Sequence, residues 1–316
     1  MTTQNQNLRE LSNTVEIVGT LKSKDLQVKL SKAGNTYMSG SLVILSKFDG
    51  KLQEQKVKVF IMESSKLFKG IETVKNEYKT IDQDGAQAAD RIRVTGELTL
   101  NEYYNAQGSL VSFNEIKGVF FNRLDASNDQ PDKAIASIET VVEGFEPILK
   151  DQLPTGEYAV KGFTVAWGNT VVELRKAVIG ESLAESFMNL YQPGSTGRLT
   201  FKLNNYVVTE KKEEQQAAPT HGFGSTETIE TVVNDYVNNL EIIGGDMPFF
   251  GTKEYTPEEI QTAKQVYALK LQELQQPAPE VPQTNTGFGQ GAATSQTDVA
   301  NNMPFNMANK DQMPDF

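Results

Sequence analysis

A chain of 316 residues has room for about two domains. With no cysteine and a single histidine it cannot build disulfides, thiolate metal sites, cysteine nucleophiles or most zinc and triad chemistry. The formal charge of -11 is confined to one third of the chain: residues 213–316 hold 15 acidic residues and 4 lysines, whereas residues 1–212 balance 26 basic against 26 acidic.

Residues 1–13 are polar and are expected to be disordered. They lack the basic and apolar stretches of a signal peptide, and no later run is apolar enough to cross a bilayer, so the expectation is a soluble, cytoplasmic protein. A first module is expected over residues 14–128, and its start is basic: Val15–Thr80 holds 12 lysines against 7 acids. That surplus attracts polyanions, although solvated lysine faces are common.

Tyr37–Ile44 alternates, with Met38, Leu42 and Ile44 inward and Tyr37, Ser39 and Ser41 outward. Lys56–Met62 alternates more strictly, putting Val57, Val59 and Ile61 on a core face and Lys56, Lys58 and Phe60 on the other. Leu67, Ile71, Val74 and Tyr78 then recur at helical spacing within Ser64–Tyr78. Ile92, Val94, Gly96, Leu98 and Leu100 restore the period of two. A hairpin follows, opened by Tyr103 and Tyr104, turned at Asn105-Ala-Gln-Gly108 and returning through Phe113. Phe113, Phe120 and Phe121 are expected in the core.

The second module is expected over residues 129–253. Its strands are a first through Val141, then Tyr158–Trp167 with a turn at Gly168-Asn169, Val171–Val178, Arg198–Tyr206 and Ile229–Leu240, with a short helix at Glu181–Leu190. Lys211–Pro219 reads as a flexible loop, and His221 as a solvated loop residue. Met247-Pro-Phe249 is expected to pack after the second module. Thr256-Pro-Glu-Glu259 is a capping box that opens a helix over 254–276 packed on that module. Residues 277–316, rich in Pro, Gln, Asn, Thr, Gly and Ala, read as a disordered acidic tail.

The two modules are copies of one plan. Arg93-Val-Thr-Gly-Glu-Leu-Thr-Leu-Asn-Glu-Tyr-Tyr104 is echoed by Gly197-Arg-Leu-Thr-Phe-Lys-Leu-Asn-Asn-Tyr206, and the flanking strands follow in the same order. Five strands with a helix between the third and fourth is the plan of the OB-fold, so the fold class is mainly β: two tandem five-stranded Greek-key barrels, a C-terminal helix and a tail.

Stacking platforms beside cations suit a single-stranded nucleic acid. The first module offers Tyr37, Lys56, Lys58, Phe60, Tyr103 and Tyr104; the second offers Lys161, Phe163, Trp167, Arg175 and Tyr206. A tryptophan beside a hairpin turn serves equally well to cap a barrel core. The chain has no Gly-rich Lys-Ser/Thr phosphate loop, no metal-ligand cluster and no nucleophile with a histidine base, so neither an enzyme nor a cofactor or metal is expected.

The first module resembles bacterial and phage single-stranded DNA-binding proteins. Val15-Glu-Ile-Val-Gly-Thr-Leu stands where that family begins its first strand, and Gly-Glu-Leu-Thr, an aromatic hairpin and Phe113-Asn-Glu-Ile-Lys-Gly-Val stand where it ends. The likeness covers Val15–Leu124, with a divergent copy over Ile138–Ile243. It implies sequence-independent binding and protection of single-stranded DNA in replication, recombination and repair, by a monomer or low-order oligomer of phage or mobile-element type. It also implies docking of replication and recombination proteins on the tail tip, Met313, Pro314, Asp315 and Phe316; here Asp315 departs from the family's Pro-Phe tip. The competing reading is a replisome or virion scaffold that uses the barrels for protein contacts alone, and RNA is a third candidate ligand. Burial of Tyr37, Phe60, Tyr103 and Trp167 would favour the scaffold.

Overall fold

Hydrogen bonding closes each run of strands on itself. The structure is a computed structural model and describes residues 8–125, 130–215 and 228–275. The first run comprises β1 (Asn13–Leu30), β2 (Thr36–Phe48), β3 (Lys51–Met62), β4 (Arg91–Tyr104) and β5 (Leu110–Arg123), with α1 (Phe68–Glu77) and α2 (Ile81–Asp84) between β3 and β4. β1 pairs β2, β2 pairs β3, β3 pairs β5 in parallel, β5 pairs β4 and β4 returns to β1. That closed order is the five-stranded OB barrel. Gly19 lies where β1 leaves β4 for β2; a Cβ there would stand 2.1 Å from the Leu45 carbonyl oxygen, so only glycine lets the strands meet so closely.

The second run repeats the closure with β6 (Lys133–Lys150), β7 (Leu153–Ala166), β8 (Thr170–Glu173), β9 (Ala177–Ile179), α3 (Glu181–Leu190), β10 (Thr196–Gln215) and β11 (Thr228–Gly245). Here the third strand is split: β8 and β9 both pair β7, and β9 alone joins β11 in parallel. The break falls at Leu174–Lys176, where Lys176 has a φ of 55°. β11 pairs β10, and β10 pairs β6. The barrels are fused, because β1 also pairs antiparallel with β6 from Asn13↔Ile138 to Val18↔Lys133.

Four expectations change. Residues 8–12 are not disordered. Leu8 and Leu11 are buried, and the Leu11 amide donates to the Val165 carbonyl at 2.8 Å. Lys211–Gln215 is not loop: β10 runs on to Gln215 and pairs β11 from Thr228, carrying the ladder well beyond the barrel. Phe120 is not core but 51% exposed. A β-bulge between Thr95 and Gly96 sets one extra residue into β5, so the alternation that buries Ile116 and Gly118 resumes one place later and turns Phe121 inward. Met247 is likewise exposed, while the Phe249 amide donates to the Thr196 carbonyl at 2.7 Å.

α4 (Pro257–Gln275) begins with the reciprocal bonds of its capping box: the Thr256 amide donates to the Glu259 carboxylate at 2.8 Å, and the Glu259 amide to the Thr256 hydroxyl at 3.2 Å. Its apolar stripe lies on the outside of the second barrel, then the helix reaches the first. Tyr267 donates to Glu102 on β4 at 2.5 Å, Lys270 binds the same carboxylate at 3.0 Å, and Gln275 donates to the Tyr104 hydroxyl at 2.8 Å. Ser112 on β5 and Arg175 complete the ring around the fully buried Glu102 side chain.

Burial alone would push the Glu102 carboxyl up. The hydrogen bonds from Tyr267, Lys270 and Ser112, together with the Lys270 charge, outweigh it and hold the group below its ordinary value of 4.5. Neighbouring Glu173 is pushed the other way, chiefly by burial, against the attraction of Arg175.

Two measurements check this architecture. Leu11→Ala empties a buried position 2% exposed and should cost about 2–4 kcal/mol in urea unfolding; an unchanged midpoint would mean that the N-terminal segment does not dock. A carboxylate held low stabilises the fold at neutral pH and loses that contribution as the pH falls through its folded value. Glu102→Gln should therefore cost about 1–3 kcal/mol near neutrality, a gap that narrows as the pH is lowered from about 6 to about 3. A gap independent of pH would refute the ionised clasp.

Candidate nucleic-acid interface

In the first barrel the alternation of β3 sends Val57, Val59 and Ile61 into the core and leaves Lys56, Lys58 and Phe60 on the outer surface. Phe60 is 53% exposed. Tyr37 stands diagonally across on β2, its ring centroid 5.2 Å from that of Phe60 at 40°. Opposed residues share a face, so three rows cross β1, β2 and β3: Lys29–Tyr37–Met62, Gln27–Ser39–Phe60 and Asp25–Ser41–Lys58. Lys58 meets Glu115 of β5 at 3.7 Å, and Lys56 is exposed. Lys29, absent from the sequence-based set, is exposed and directly opposite Tyr37; only the β1–β2 register reveals that neighbourhood.

Tyr103 and Tyr104 are half-buried at the turn end of the β4–β5 hairpin, opposite Val111 and Leu110. The turn is held by the Asn105 side chain, which accepts from the amides of Gln107 at 3.0 Å and Ser109 at 2.9 Å. The hairpin is thus fixed at its tip by an Asx turn and just behind the tip by Glu102 and α4.

The second barrel treats its set differently. Phe163 is corrected: it is 2% exposed, its ring edge-on to Tyr255 at 6.3 Å, and it cannot stack on a base. Arg175 is also committed elsewhere. Its guanidinium binds Glu173 at 2.7 Å, the Tyr267 hydroxyl at 2.7 Å, Ser112 at 2.9 Å and Glu102 at 3.4 Å, while its amide donates to Asn114 at 2.6 Å. Lys161 is exposed but paired with Glu146. Tyr206 accepts from Lys51 at 2.7 Å, and the same ammonium lies 4.2 Å from its ring centroid. Trp167 is 82% exposed, on a 3-10 turn where Gly168 and Asn169 take φ values of 72° and 61°. Of the expected set, the fold gathers Tyr37, Lys56, Lys58 and Phe60 into one patch.

Met313, Pro314, Asp315 and Phe316 lie outside the described residues, as does His221. Among the described residues no cluster of three or more His, Asp or Glu side chains could hold a metal ion, and no helix is long and apolar enough to cross a membrane.

The wild-type single-stranded DNA binding protein from Thermus aquaticus shares 12% identity with the chain, covering 79% of it and 99% of that protein, with a TM-score of 0.48. A deletion mutant of the same protein shares 12% identity, over 79% of this chain and 98% of its own, with a TM-score of 0.46. The mitochondrial single-stranded DNA binding protein Rim1 of S. cerevisiae shares 16%, over 37% of this chain and 98% of its own, with a TM-score of 0.27. No curated protein matches the sequence. The family described as YorF matches residues 12–277, a span that takes in both barrels and α4, and the chain belongs to that family.

Proposed function

We propose that the protein binds single-stranded DNA without sequence preference on the outer face of β1, β2 and β3 of the first barrel. One observation carries the reading: the half-open Tyr37–Phe60 pair sits with Lys29, Lys56 and Lys58 on the strand face that OB barrels present to oligonucleotides. A base has a flat π-face and each link a phosphate; the rings take the first and the ammonium groups the second. Tyr103 and Tyr104 extend the surface along the β4–β5 hairpin. Exposure of Phe60, rather than burial in the barrel, weighs against the scaffold reading.

The setting in this reading is protection of single strands during DNA replication and recombination, with the tail tip Met313, Pro314, Asp315 and Phe316 as the docking sequence for partner proteins. No step of bond making or breaking is involved; the protein acts by occupancy.

The test is a titration of fluorescent oligo-dT against a duplex of equal length at several salt concentrations. Binding should favour the single strand and weaken with salt as bound phosphates release counterions. Phe60→Ala and Tyr37→Ala should each cost about 1–3 kcal/mol in binding at unchanged thermal stability. Equal affinity for duplex and single strand, or variants that bind like wild type, would defeat the assignment.

A further inference from the structure

The two barrels differ at the end of their last strands. β5 and β11 carry the same bulge, opposite Thr95–Gly96 in one ladder and Thr200–Phe201 in the other, so Gly118 corresponds to Ile242, Phe120 to Gly244 and Phe121 to Gly245. The helices at this end correspond as well. The Tyr78 hydroxyl donates to the Phe121 carbonyl at 3.3 Å, and the Tyr191 hydroxyl to the Asp246 carbonyl at 2.7 Å. Counted back from these tyrosines, the buried Ile71 and Val74 of α1 match the buried Ala184 and Phe187 of α3.

In the first barrel the Phe121 ring packs onto the core over Gly118, where a Cβ would stand 2.4 Å from it. In the second, position 245 has no side chain. Ile242 and Phe187 are larger than Gly118 and Val74, yet an apolar pocket of about 140 Å³ remains between Leu183, Phe187 and Leu190 of α3 and Leu199, Ile242 and the glycines of β10 and β11. Leu183 and Leu190 are exposed at its edge, as are Ile243 and Met247, which flank Gly244 and Asp246 in the chain.

Size decides what the pocket takes. An apolar cavity of about 150 Å³ accommodates a benzene ring, whereas clefts for whole small molecules run to roughly 300–1,000 Å³. A single ring carried by a larger partner fits, in the way that an aromatic anchor fills a surface pocket at an interface. Among the residues lining the pocket only Asp246 is charged, and its carboxylate is 3.9 Å from Arg198, a loose and exposed pair that another cation replaces at little cost. We propose that this pocket docks a protein partner that inserts one phenylalanine side chain, with a lysine or arginine beside it, into the place that Phe121 fills in the twin barrel. The assignment goes beyond single-strand binding and does not depend on it.

The test uses the full-length protein labelled at its Ile, Leu and Val methyl groups and titrated, up to the millimolar range, with the acetylated and amidated peptide Gly-Lys-Phe-Lys-Gly. The Leu190, Leu199 and Ile242 methyl signals should show saturable upfield ring-current shifts. Gly-Lys-Ala-Lys-Gly should bind about tenfold or more weakly, and Gly-Glu-Phe-Glu-Gly about twofold or more weakly at low salt. Leu183→Asp combined with Leu190→Asp, at positions already partly exposed, should abolish the shifts, while an otherwise unchanged methyl spectrum shows that the barrel still folds. Absence of shifts at these methyl groups, shifts that persist in the double variant, or an equal response to the alanine peptide would overturn the docking site. An equal response to the glutamate-flanked peptide would overturn the cation beside the ring.

Discussion

The pairing of β1 with β6 is the constraint on which the molecule depends. From Asn13 to Val18, β1 is hydrogen-bonded to β6, and from Val15 it is bonded to β4 as well, so the first strand of one barrel is an interior strand of a sheet that runs on into the other. An antiparallel match between two equivalent strands relates the copies by an approximate twofold. Whatever one barrel offers at a given place, the other meets with its own version. The β2–β3 hairpin lies on β10, where Gln55 donates to the Leu203 carbonyl at 2.7 Å and Asp49 pairs with Lys202 at 2.9 Å. Reciprocally the β8–β9 segment lies on β5, where Asn114 donates to the Glu173 carbonyl at 2.8 Å.

Two copies in such an arrangement have the same fold and need not have the same surface. At the turn end of its β2–β3 hairpin the first copy carries Leu45, Lys47 and Leu52; the second carries Phe163, Val165 and Val171 at the corresponding places and has them covered. Apolar side chains at those places and a covering helix require each other, since a bare patch would invite association and a helix with nothing beneath it would leave its own stripe in water. α4 ties the covered barrel to the hairpin of the open one through Glu102. The duplicated half thus acts as a brace for its twin.

Much of this was legible in the chain itself. The repeat, the strict alternation of Lys56–Met62 and the capping box at Thr256 each report a local rule, of period or of end chemistry, that tertiary contacts did not override. What escaped depends on contacts distant in sequence. Phe163 reads as a strand aromatic beside a lysine, much as Phe60 does; it is buried because a helix about one hundred residues later lands on it. Phe120 faces out because one residue is inserted at a bulge, and a period-two reading cannot see an extra residue. Leu8 and Leu11 sit in a polar stretch whose composition suggests disorder, yet two leucines suffice once β7 offers a backbone acceptor and an apolar seat. Lys29 was missed for the same reason as Phe163 was misjudged, because register is not written in either strand alone.

A chain with a charge of -11 can still hold a polyanion, because screening makes binding a local matter. At physiological ionic strength a charge is felt over about 8 Å, so a phosphate at the Tyr37–Phe60 patch responds to Lys29, Lys56 and Lys58 and hardly to a distant excess of carboxylates. Lys58 shares its charge with Glu115 at 3.7 Å, and such partly exposed pairs contribute only about 0–1 kcal/mol. Replacing Glu115 by a phosphate is therefore nearly neutral in cost and leaves the ammonium in place. Arg175 is in the opposite position. Its guanidinium is held at once by Glu173, the Tyr267 hydroxyl, Ser112 and Glu102, so a ligand would have to break several contacts to reach its charge even though its residue type suits one. Residue type suggests which side chains could bind; the cost of releasing each from its present partner decides which ones do.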